Sequence, residues 1–95
     1  MSALAAVARR PRIVAGNWKM NRTAPEGLAL VRELVALRAA DPASTRAPRV
    51  VVCPPYPSLD AVGQAIAGSG VELGAQDVHA ETHGAFTGCV SGAML

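Results

Sequence analysis

A chain of 95 residues has room for one small hydrophobic core. At 51% hydrophobic and 17% charged, it suits a folded segment rather than a disordered one. Nine basic residues exceed seven acidic ones only through Arg9 and Arg10, so the remainder is balanced and offers no basic face for nucleic acid. No apolar run approaches the roughly 18 residues that a membrane span needs.

Residues 1 to 11 contain Ala, Ser and Arg but no acid, and read as a flexible leader. The arginines follow the short apolar stretch, the reverse of a secretory signal, and the segment is too short for an organelle transit peptide. The expectation is a loose tail on a cytoplasmic domain spanning residues 12 to 95. Cys53 and Cys89 have neither C-x-x-C spacing nor companion ligands, so free thiols are expected.

Residues 12 to 16 read as a first strand, and residues 23 to 40 as a helix. Thr23 and Glu26 spell a T-x-x-E capping box, and Pro25 falls in the first turn, where a missing N–H costs little. Leu28, Val31, Leu34 and Val35 recur at helical spacing, with Leu30 and Leu37 widening the stripe. The Asp-Pro-Ala-Ser stretch from residue 41 breaks this helix.

A β-branched run from Arg49 to Cys53 predicts a second strand, stopped by Pro54 and Pro55. Ser58 is the expected cap of a second helix running to Ala67, which Gly68 and Gly70 end. Residues 71 to 75 predict a third strand diluted by Gly74, and residues 76 to 90 a long loop. Ser91 has the character of an N-cap for a helix starting at Gly92. This β-α-β-α-β order predicts parallel strands, and three such strands alone would leave two edges exposed.

In parallel α/β architectures chemistry gathers at the carboxyl ends of strands, which draws attention to Asn17, Trp18 and Lys19. Continued strand geometry would put Asn17 and Lys19 on one side and Trp18 on the other. A lysine held in a water-poor mouth is costly unless an anion joins it, which points to an anionic substrate. The ordinary alternative is a solvated lysine in a turn.

The surrounding words decide between these. GNWKMN at residues 16 to 21 resembles the opening signature of the triosephosphate isomerase family. CPPY at 53 to 56, GAQDV at 74 to 78, GAFTG at 84 to 88 and SGAML at 91 to 95 follow in family order. The resemblance covers residues 12 to 95 and implies an α/β fold, about three β/α units of a TIM (β/α)8 barrel. A complete barrel takes roughly 250 residues, so the expectation is an incomplete one, a fragment or an early-terminated reading frame.

The family interconverts dihydroxyacetone phosphate and glyceraldehyde 3-phosphate, in glycolysis and gluconeogenesis, by proton transfer through an enediolate and without a cofactor. The resemblance makes Lys19 the cation near the developing oxyanion and the substrate phosphate, and Asn17 a substrate-binding amide. It places the proton-moving glutamate and its histidine, the phosphate-gripping loop and the lid beyond the resembling segments. The 95-residue chain is therefore expected to be inactive alone. Glu72 and Glu81 are read as ordinary polar positions that do not substitute for the base.

The resemblance also implies a homodimer for the complete protein, with Phe86 and Thr87 entering a pocket near the neighbouring subunit's site. Cys89 stands where the family usually has a glutamate, which removes one inter-subunit ion pair. His79 and His83 are four apart with Glu81 between them, but helical zinc motifs read H-E-x-x-H, so no metal is expected. Gly68-Ser69-Gly70 lacks a phosphate-loop lysine and reads as a turn. The alternatives are a noncatalytic remnant acting through subunit association, and another phosphate-handling barrel enzyme.

Overall fold

The computed structural model describes residues 10–40 and 48–95. Most of the leader and the helix-breaking stretch from residue 41 lie outside the described residues. Five elements follow in order: β1 (Ile13–Asn17), α1 (Ala24–Ala39), β2 (Arg49–Cys53), α2 (Tyr56–Ile66) and β3 (Glu72–Leu73). The strands form one parallel sheet in the order β1-β2-β3. Ile13 lies opposite Arg49 and Asn17 opposite Cys53, so the carboxyl ends of β1 and β2 finish level.

Helix α1 begins where its cap signal predicts. The Thr23 N–H donates to Glu26 Oε1 at 2.9 Å and the Thr23 hydroxyl to the same oxygen at 2.8 Å. The carboxylate thus satisfies an amide that the helix leaves without a partner. These bonds favour the charged form, so the Glu26 pKa lies below the ordinary carboxylate value.

The core is a single cluster of Val31, Val52, Val62, Ile66 and Val71, one side chain or two from each of α1, β2, α2 and the approach to β3. Trp18, Leu34, Val35, Val50 and Ala65 pack against it. A Cβ on Gly27 would lie 2.9 Å from Trp18 Cζ3, so only a glycine lets the indole rest on α1. Leu37 departs from the expected stripe and is 66% exposed.

Helix α2 starts earlier than its sequence suggested. Its N-cap is Pro55, with φ −64° and ψ 157°, and Pro57 fits the first turn because no N–H is needed there. Ser58 is therefore inside the helix, fully buried, and its Oγ has no hydrogen-bond partner among the described residues. The Ser58 N–H donates to Pro55 O at 3.0 Å. The turn that follows uses Gly68 and Gly70 at φ +75° and +86°, where Cβ-bearing residues are disfavoured.

Strand β3 is shorter than residues 71 to 75, yet its ladder reaches Gly74, whose N–H donates to Val52 O at 2.9 Å. A Cβ there would meet Cys53 Sγ at 2.8 Å and Val51 Cγ1 at 3.3 Å, so a larger residue must displace these side chains. Glu72 is more than an ordinary polar position. Arg49 Nε and Nη2 grip its carboxylate at 2.8 and 2.6 Å, tying β2 to β3. This fork lowers the Glu72 pKa and raises that of Arg49.

Residues 76 to 90 run as a loop whose ends meet: His79 and Ser91 form a parallel bridge, and the His79 N–H donates to Val90 O at 2.8 Å. Ser91 starts a single turn rather than a developed helix, with Met94 N–H on its Oγ and Leu95 N–H on its carbonyl, both at 3.3 Å. A concavity of about 750 Å³, lined by Leu59, Leu73, Val90, Met94 and Leu95 among others, opens beside α2 and β3. No helix among the described residues is long and apolar enough to cross a membrane.

Candidate functional site at the strand ends

Pairing between β1 and β2 runs one residue past the strand, because the Trp18 N–H donates to Cys53 O at 3.1 Å. The strand conformation then stops. Lys19 has φ +54° and Arg22 φ +70°, left-handed values that cost a residue with a Cβ about 1–3 kcal/mol. The expected alternation of Asn17 and Lys19 on one side of a continuing strand is thereby corrected. A turn, not a pleat, relates them.

Side-chain amides hold this turn. Asn17 Oδ1 accepts the Lys19 N–H at 3.0 Å, and Asn21 Nδ2 donates to Trp18 O at 2.8 Å. From 57 residues further along the chain, Gln76 Nε2 donates to Lys19 O and to Cys53 O, both at 2.9 Å. An amide NH2 has two hydrogens, and both are used. The carboxyl end of β1, that of β2 and the segment after β3 are thus joined at one nitrogen.

Lys19 and Asn17 are both exposed. Among the described residues no carboxylate pairs with the Lys19 ammonium. The site therefore offers an uncommitted positive charge beside an amide, on a backbone that has little freedom. Such an arrangement can bind an anion and stabilise negative charge as it forms. None of the groups bonded around the turn can carry a proton to or from carbon.

The two loop histidines are engaged elsewhere. His79 Nδ1 accepts the Glu81 N–H at 3.0 Å, and its ring lies on Phe86 with centroids 4.0 Å apart. His83 Nδ1 is 3.0 Å from Thr82 Oγ1. Among the described residues no cluster of three or more His, Cys, Asp or Glu could hold a metal ion. Phe86 is 46% exposed and crosses Gly84, where a Cβ would fall 2.7 Å from its Cε2. Thr87, beside it, is exposed, and Cys89 is a free exposed thiol.

The base of this loop is fastened by Tyr56, whose hydroxyl donates to Asp77 O at 2.6 Å. Desolvation, with smaller contributions from the charges of Asp77 and Cys89, raises the Tyr56 pKa, so the phenol keeps the proton that it donates. Neither Tyr56 nor Gln76 stands out in the sequence as a site residue. Each lies within a family-like word, CPPY and GAQDV, and that is the signal that could have found them.

The triosephosphate isomerase family model matches residues 12–95. A triosephosphate isomerase of Clostridium novyi is 50% identical over 86 residues, covering 90% of this chain and 32% of that protein. One from Carboxydothermus hydrogenoformans is 48% identical over 88 residues, covering 92% and 33%. A Synechococcus relative is 42% identical over 87 residues, covering 90% and 35%. The chain spans about a third of the length of these curated relatives. With the family model matching everything from Arg12 onward, and a Lys19 turn built at the carboxyl ends of parallel strands, the chain belongs to the triosephosphate isomerase family.

Proposed function

We propose that residues 12 to 95 are a partial barrel domain supplying the substrate-holding side of a cytoplasmic, cofactor-free enzyme. That enzyme interconverts dihydroxyacetone phosphate and glyceraldehyde 3-phosphate. The observation that carries this reading is the Lys19 turn at the strand ends, on a backbone held by three amide side chains, with no carboxylate on its ammonium among the described residues. Lys19 is assigned to the substrate phosphate and the oxyanion of the enediolate. Asn17 keeps its Nδ2 hydrogens for the substrate while Oδ1 fixes the lysine backbone.

Proton transfer between the two carbons needs a base, and the turn offers no carboxylate or imidazole for it. The 95 residues by themselves are therefore expected to turn over no substrate. Phe86 and Thr87, exposed on a loop with a fastened base, are assigned to contact with a second subunit of a homodimer. Cys89 in the same loop is a free exposed thiol where the family usually has a glutamate.

The test is a hybrid in which residues 12–95 replace the matching third of the Clostridium novyi relative. The hybrid should isomerise dihydroxyacetone phosphate, and Lys19→Ala should lower kcat/KM by about 10²–10³-fold. A Lys19→Ala hybrid with undiminished turnover would overturn the assignment of Lys19. Turnover by the 95-residue chain alone, lost on Lys19→Ala, would overturn the expectation of inactivity.

A further inference from the structure

Residues 80 to 89 are all exposed, so burial fixes none of the loop that carries Phe86 and Thr87. His79, at the foot of that loop, is half-buried and held three ways. Its N–H donates to Val90 O at 2.8 Å, its backbone bridges to the buried Ser91, and its Nδ1 accepts the Glu81 N–H at 3.0 Å, which sets the plane of the ring. Phe86 lies on that ring, with centroids 4.0 Å apart and planes tilted by 32°. The backbone of Gly84 runs close along the Cδ2–Cε2 side of Phe86, where a Cβ would fall 3.1 and 2.7 Å away. A side chain that is 46% exposed is ordinarily free to change rotamer, yet this one has a neighbour on its ring and another along its side.

We infer that His79 is a positioning residue for the subunit contact: its ring holds Phe86 in the orientation in which it enters a second copy of the complete protein. The inference rests on the assignment of Phe86 and Thr87 to that contact. An aromatic anchor contributes most to an interface when its orientation is set before the partner arrives, because a side chain that is immobilised only on binding costs affinity. The Cys89 N–H donates to Phe86 O at 3.0 Å and so restrains the Phe86 backbone, which leaves its side-chain torsions for His79 to fix. The role needs a flat ring and an acceptor at the δ position, and a histidine combines the two.

The test is the dissociation constant of the dimer formed by the same full-length hybrid, measured by sedimentation. Phe86→Ala should raise it by roughly 30-fold or more. His79→Asn keeps an acceptor for the Glu81 N–H but removes the ring, and should raise it by about 3- to 10-fold. His79→Phe keeps a ring without the acceptor, and should give a smaller rise. The deciding measurement is the double mutant: in a Phe86→Ala background, His79→Asn should cause little further weakening, because there is no ring left to hold. An equal fold-rise in both backgrounds would overturn the inference and leave His79 with a purely structural role in the loop. So would an unchanged dimer in His79→Asn, or failure of both His79 variants to fold. If Phe86→Ala leaves the dimer as tight as before, the contact reading itself falls and takes the inference with it, which separates the two failures.

Discussion

Strands β1 and β2 have the same length and lie side by side, yet they live in different environments. Every residue of β1 is exposed, with Ile13 and Val14 at 54% and 57%. In β2, Val52 is 4% exposed and sits in the main cluster. The difference comes from neighbours. β2 is hydrogen-bonded on both sides and carries the core, whereas β1 pairs only with β2 among the described residues. Asn17 and Lys19 thus hang from the less supported strand, and burial does not hold them in place. Their order comes from polar ties to better-supported parts of the chain: Trp18 to Cys53, and Gln76 to both Lys19 and Cys53.

The same substitution in the two strands would break that contrast most sharply. Val52→Asp puts an unpaired charge in the core and should cost about 3–5 kcal/mol, read from the urea midpoint of the 95-residue chain. Val14→Asp should cost at most about 1 kcal/mol. Equal losses would mean that β1 is better covered than its exposure indicates. Next in size, Gly74→Ala should cost about 1–3 kcal/mol, because its methyl would press on Cys53 Sγ and Val51 Cγ1 from the β3 side. A neutral result would show that β3 can slide away from β2.

The smallest effect is set by pH. Glu26 and Glu72 are both held below the ordinary carboxylate value of 4.5, by Thr23 and by Arg49 respectively. Groups with a depressed folded pKa stabilise the fold fully above the unfolded value, and that contribution is lost as pH falls through the folded one. The urea midpoint should therefore drop below about pH 4.5, and Glu26→Gln with Glu72→Gln should flatten the drop. Salt should weaken the Glu72 share more, since it is an ion pair with both side chains substantially exposed. A drop that survives both substitutions would assign acid sensitivity to other carboxylates.

What could be read from the sequence was what depends on local rules. The capping box of α1, the bounds of β2 and the parallel β-α-β-α-β order all follow from spacing, proline placement and β-branched runs. Asn17 and Lys19 drew attention because they stand at and just past the end of β1 within a rare word. Ser58 was misplaced as a cap because Pro55 and Pro57 together favour an earlier helix start. Leu37 fits the apolar period and is nonetheless exposed. The left-handed Lys19 turn and its Gln76 clamp depend on bonds between residues 57 apart. No local period or propensity reports such a contact.

The claim that polar ties hold the lysine is most directly tested by nuclear magnetic resonance on the 95-residue chain. A left-handed residue brings its own HN and Hα close together, and the resulting intraresidue Overhauser effect is strong. The account predicts a strong effect at Lys19 that weakens in Gln76→Met, with slowed exchange of the Trp18 amide in the parent chain. An ordinary negative φ at Lys19 in the parent chain, or a positive φ that Gln76→Met leaves unchanged, would contradict it.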